Sequence, residues 1–362
     1  MQGTDYLPVS ADQLGTLTTL ALRECQQLQD LPEMPSATVL SALDLRKCCA
    51  LTRLPESLGR LVALTVLDLG GCLALSALPC SVGQLEALAT FHLVGCVALT
   101  SLPEALGRLQ ALTTLELRSC RALTALPESL GQLTALTTLD ASYCDALTCL
   151  PESLGQLVTL TRLALEGCGR PVTLPQSVGQ LTALPMLNLT WCHSLAQLPA
   201  SLGQLTQLTA LVLNGATSLT ALPAEVGRLT ALTLLELKEC AALTVLPPSI
   251  GQLASLTTLE LNRCRALRVL PESLGQLTTL ANLGLASCEY LTALPASTGR
   301  LTSLETLRLD GCHRLLDRHR KRGRNIVAAN STLAGPRRAL LALIMAGRRR
   351  RAHRLPPELW FL

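Results

Sequence analysis

A phrase of 24 residues recurs through most of this 362-residue chain. In its commonest form it reads Leu-Pro-Glu-Ser-Leu-Gly-Gln-Leu-Thr-Ala-Leu-Thr-Thr-Leu-x-Leu-x-x-Cys-x-x-Leu. Its Leu-Pro openings fall at Leu54, Leu78, Leu102, Leu126, Leu150, Leu174, Leu198, Leu222, Leu246, Leu270 and Leu294. Two earlier copies open at Leu7 and Leu31, the second one residue short. No single copy can bury its own leucines, so each must stack on its neighbours, and a period this strict predicts a solenoid. The period divides the chain into a lead at 1–6, one array of thirteen repeats at 7–317, and a tail at 318–362.

Aromatic residues are only 2% of the chain, so the expected core is leucine with Ala, Val and Cys. The net charge of +4 hides an asymmetry. Residues 318–362 hold 12 Lys+Arg against Glu358 alone, and the rest of the chain holds 18 basic and 25 acidic groups. The array is therefore mildly acidic and the tail strongly basic. The start, Met1 to Tyr6, lacks the basic and apolar runs of a secretory signal. The longest apolar run, Ala339 to Ala346, is too short to span a bilayer.

Within the copy from Leu54, Leu67-Asp68-Leu69 alternates as a short strand with one buried face does. Leu64, Leu67, Leu69, Cys72 and Leu75 match L-x-x-L-x-L-x-x-C-x-x-L. This pattern resembles the leucine-rich-repeat family, and the match recurs in register along the array. The resemblance implies an α/β fold: a right-handed coil with a parallel β-sheet on the concave face and short 3-10 or irregular convex segments. Pro55 forbids a long helix after Leu54, Gly59 is expected to permit a tight turn, and Leu58, Leu61 and Leu64 can all point inward. Leu-Pro-x-x-Leu-Gly-x-Leu resembles the repeats of Ras-group, SHOC-2-like intracellular proteins. The Cys and the 24-residue length look more like plant disease-resistance receptors. The nucleotide-binding Gly-x-x-x-x-Gly-Lys-Ser/Thr segment of those receptors is not in this sequence, so their nucleotide switch is not carried over.

Of the fifteen cysteines, twelve (Cys25, Cys48, Cys72, Cys96, Cys120, Cys144, Cys168, Cys192, Cys240, Cys264, Cys288 and Cys312) fill one slot of successive repeats. Ala216 alone interrupts the row, so the slot wants a small and mostly apolar group, which a free thiol supplies. Side chains in a parallel row do not offer the twist of a disulfide, and a straight row does not converge on a metal. Cys49, Cys80 and Cys149 lie off the row and are the expected sites of surface oxidation. This thiol load favours a reducing compartment, and cytoplasm is the expected location.

Binding chemistry is expected where copies disagree. The central strand column holds Asp68, His92, Glu116 and Asp140, then Glu236 and Glu260. The next column holds Glu166, and a flanking one Arg162 and Met186. Tyr143 and Trp191 are two of only seven aromatics. Tyr, Trp, Met and Arg are the types enriched at protein interfaces, so Tyr143, Met186 and Trp191 are expected to supply contact area. His92 lies between Asp68 and Glu116, but acid–base catalysis needs a cleft that shifts pKa values and excludes water, which an open sheet does not provide. The expectation is thus a protein-binding scaffold in signalling or immune-type recognition, without catalysis, cofactor, metal or small-molecule substrate. The sequons at Asn188 and Asn330 are read as chance.

The tail opens with the basic run Arg318 to Arg324. A short helix is expected near 337–352, after Pro336 and with Arg348 to Arg351 at its end. The basic residues suit a nuclear address, an anionic membrane or nucleic acid. The closing Leu355-Pro-Pro-Glu-Leu-Trp-Phe-Leu362 looks like the opening of an F-box, which implies an alternative role as a ubiquitin-ligase substrate adaptor.

Overall fold

The computed structural model describes residues 16–34, 39–169 and 173–315. The lead, the basic tail, the helix expected near 337–352 and the F-box-like end lie outside the described residues. The chain falls into two compact units, 1–208 and 209–362.

The first unit carries eight three-residue strands: β1 (Thr19–Ala21), β2 (Ala42–Asp44), β3 (Val66–Asp68), β4 (Thr90–His92), β5 (Thr114–Glu116), β6 (Thr138–Asp140), β7 (Arg162–Ala164) and β8 (Met186–Asn188). They pair in parallel and in chain order. The register is that of the repeat: Leu43, Leu67, Phe91, Leu115, Leu139, Leu163 and Leu187 stand side by side. All are buried to within 2%. The second unit repeats the arrangement with β9 (Ala210–Val212), β10 (Leu234–Glu236), β11 (Thr258–Glu260), β12 (Asn282–Gly284) and β13 (Thr306–Arg308), again parallel and in order. This is the architecture of a leucine-rich-repeat solenoid.

From β2 on, each return segment to the next strand holds a five-residue 3-10 helix, as in Glu56–Arg60, preceded by an extended proline (Pro55, φ −73°, ψ 153°). Hydrogen bonds every third residue run from Leu58 N–H to Pro55 O, from Leu61 N–H to Leu58 O and from Leu64 N–H to Leu61 O. The helix ends at Arg60, but the three-residue bonding continues past it and turns Leu58, Leu61 and Leu64 to the core. All three are fully buried. Full burial of such a side chain contributes about 1.5–3 kcal/mol, but only when the next coil is present to cover it.

The repeated polar letters also have assigned work. The glutamate of Leu-Pro-Glu accepts the N–H that opens the next coil's helix: Ser81 N–H to Glu56, Ser129 N–H to Glu104 and, in the second unit, Ser297 N–H to Glu272. Where a threonine precedes a strand it donates its hydroxyl to the coil before it, as Thr137 does to Thr113 O and Thr257 to Thr233 O. The row thiols from Cys72 on do likewise, each to a carbonyl 27 residues earlier, and Cys48 donates to Leu22 O across the shorter coil. Examples are Cys72 to Leu45 O, Cys120 to Leu93 O and Cys240 to Leu213 O, all at 3.2 Å. All fifteen cysteines are free thiols. Burial pushes Cys72, Cys96 and Cys240 up to about 12, well above an ordinary thiol.

One sequence expectation needs correction. Gly59 makes no tight turn; it lies inside the 3-10 helix. A Cβ there would sit 2.6 Å from Ser81 O, and one at Gly131 would sit 2.5 Å from Ser153 O. The glycine lets the next coil approach. The residue that does need left-handed backbone is the one just before the row cysteine. Among the described residues thirteen have positive φ, and all occupy that slot, five as glycine and eight, including Tyr143 and Trp191, at φ 58–64°.

Candidate functional site

The strand face of the first unit is less open than its column of variable letters suggests. Asp140 is 9% exposed and Ala164 is 6%, which corrects the reading of Asp140 as a free partner-binding carboxylate. Its Oδ1 accepts the Ser142 N–H at 2.9 Å, closing the turn after the strand. Asp68 does the same for Gly70 N–H at 3.0 Å and faces Arg46 at 3.4 Å. Asp44 occupies the same position on β2. Burial alone would raise it, but hydrogen bonds from Arg46 and Arg23 outweigh that and hold it at about 2. Asn188 replaces the aspartate on β8, accepting from Thr190 N–H and donating Nδ2 to Glu166. Its amide nitrogen is therefore already engaged, which leaves the sequon at Asn188 poorly placed for a glycan.

In the second unit Glu236 stands beside Glu260 across β10 and β11. Glu236 accepts from Lys238 Nζ at 3.1 Å and from Asn214, and Glu260 accepts from Asn262. Both carboxylates are spent largely on neighbouring side chains.

Two groups in the first unit remain. On β7 and β8 the exposed Arg162 neighbours Met186, which is 46% exposed, and Trp191 follows β8 at 43%. The Trp191 ring tilts against His193, centroids 5.6 Å apart. Tyr143 belongs to this edge but is half-buried. The Arg118 guanidinium sits 4.8 Å from its ring centre, and the ring covers Gly167, where a Cβ would lie 2.5 Å from Tyr143 Cδ1. Tyr143 is thus used more within the chain than Met186 or Trp191, although the Trp191 ring also meets His193.

The second group is Asp68, His92 and Glu116, side by side on β3, β4 and β5. His92 Nδ1 lies 2.8 Å from Glu116 Oε2. With Arg46, Lys47, Gly70, Gly71 and Val94 these residues line an open depression of about 490 Å³. Sequence reasoning missed its floor. The signal was present: two adjacent columns lose their long side chains over the same coils, Gly70 and Val94 in one, Gly71 and Gly95 in the other. Among the described residues, no group of three or more His, Cys, Asp or Glu is placed to hold a metal ion, and no helix is long and apolar enough to cross a membrane.

Stacked coils with a parallel strand face and 3-10 returns define a repeat protein. The family model for a leucine-rich repeat region matches residues 2–139, 115–216 and 224–320. The chain belongs to the leucine-rich-repeat family, whose fold commonly serves as a protein–protein interaction module. Three solved structures illustrate the likeness. A leucine-rich-repeat protein of Leptospira interrogans is 26% identical over 89% of this chain and 98% of that one, TM-score 0.44. The leucine-rich-repeat domain of the type III effector XopL is 30% identical over 56% and 70%, TM-score 0.50. The Drosophila Toll–Spatzle complex is 22% identical over 81% and 39%, TM-score 0.59. The search of curated proteins found no match.

Proposed function

We propose that this chain is a non-enzymatic recognition module that binds a protein partner through the strand face of its first unit. The observation that carries this reading is the pair Met186 and Trp191, 46% and 43% exposed beside the exposed Arg162. Two large apolar side chains next to an arginine match the composition of interface anchors. Tyr143 and Glu166 form the flank of the same surface, and Asp68, His92 and Glu116 its acidic side. Signalling or defence is the setting we infer, from the resemblance of the repeat to Ras-group and resistance-type repeats. The fifteen free thiols support a cytoplasmic location.

The test uses the full chain and the double variant Met186→Ala, Trp191→Ala. A partner captured from native lysate by the parent, then purified, is expected to bind the variant at least about tenfold more weakly. Equal affinity overturns the assignment of the patch.

A further inference from the structure

Arg46, Lys47, Asp68, His92 and Glu116 surround a floor made of Gly70, Gly71 and Val94. We propose that this depression receives the side chain of a tyrosine from a protein partner. The depression lies on the acidic side of the strand face proposed above to bind a partner and rests on that reading, but its test uses no partner and reads nothing at Met186 or Trp191.

The walls decide the class of occupant. A carboxylate or phosphate would meet the carboxylates of Asp68 and Glu116. A lysine or arginine would meet Arg46 and Lys47. An aliphatic side chain would suit the floor, but it would leave the polar wall unanswered. An aromatic ring satisfies both, since its faces are apolar and carry negative charge density that attracts a guanidinium or ammonium. Arg46 is held ready for that role, because Asp44 and Asp68 grip it at 2.9 and 3.4 Å.

The hydroxyl follows from His92. Its Nδ1 faces the Glu116 carboxylate, which can only accept, so the proton of the neutral ring belongs on Nδ1. Nε2 is left as an acceptor, and it makes no bond among the described residues. A phenol supplies the donor that a phenylalanine lacks. At about 490 Å³ the depression has room for one such ring.

N-acetyl-tyrosinamide is the probe, titrated into the isotopically labelled full chain and followed by NMR at the Val94 methyls and the His92 ring. The expected result is saturable shifts at both, with a dissociation constant on the order of 1–10 mM. N-acetyl-phenylalaninamide should bind about fivefold more weakly, the effect of one lost hydrogen bond. Val94→Arg should abolish the shifts at His92 while leaving the melting curve intact, because arginine already fills this slot at Arg23, Arg46 and Arg118. Shifts that do not saturate, equal affinity for the two probes, or undiminished binding to a folded Val94→Arg variant would each overturn the proposal.

Discussion

At the scale of the residue, the slot before each row cysteine separates scaffold from function. Left-handed backbone costs a residue with a Cβ about 1–2 kcal/mol, yet Tyr143 and Trp191 both occupy it. Tyr143 recovers part of that cost through Gly167 and Arg118. Trp191 stays 43% exposed. Trp191→Gly is therefore expected to raise stability by up to about 1 kcal/mol while weakening partner binding. Tyr143→Gly should bring no such gain. Urea unfolding of both variants checks this, and a destabilised Trp191→Gly would show that the indole packs within the fold. The sequence displayed these aromatics as departures from Gly, Ser or a charge. It did not display the dihedral that makes them costly, because the eight non-glycine positions of the slot hold six residue types without a common side chain.

At the scale of the element, the 3-10 helix depends on the coil before it. Its alternation of Leu and its opening Pro were legible, since both follow from periodicity and fixed φ. The glycine and glutamate were not, because each acts on a neighbouring coil, 22 residues away for the glycine and 25 for the glutamate. Gly131→Ala places a Cβ against Ser153 O and is expected to cost about 1–3 kcal/mol, measured as a fall in the denaturation midpoint. Glu104 and Glu272 are each held below 4.5, chiefly by a backbone N–H of the next helix, from Ser129 and Ser297 respectively. A carboxyl more acidic in the folded state contributes stability that is fully present above its unfolded value. That contribution is lost as pH falls through the lowered one. The double variant Glu104→Gln, Glu272→Gln should therefore show a shallower loss of stability than the parent from about pH 6 to about pH 3. Parallel curves would remove these two carboxylates from the acid limb.

At the scale of the whole molecule, burial predicts inertness for the row thiols from Cys48 on, but not for Cys25 at the start of the row. Eleven of the fifteen cysteines are buried, Cys25, Cys80 and Cys149 are exposed, and Cys49 is intermediate. Disulfide-exchange titration of the native chain should count three fast thiols and a slower fourth, with the rest reacting only after denaturation; rapid reaction of all fifteen would contradict the burial. The fold was legible because one sentence is repeated thirteen times and its errors average out. The candidate site was only partly legible, because a depression is made by side chains that are missing. The repeated side-chain bonds also share a direction. Cysteine and threonine donate to the coil before them, and the helix N–H groups donate back to the preceding glutamate. A ribosome delivers coils in that same order. Each new coil emerges carrying donors for acceptors already laid down, so the array can be completed one turn at a time, with each finished coil a template for the next.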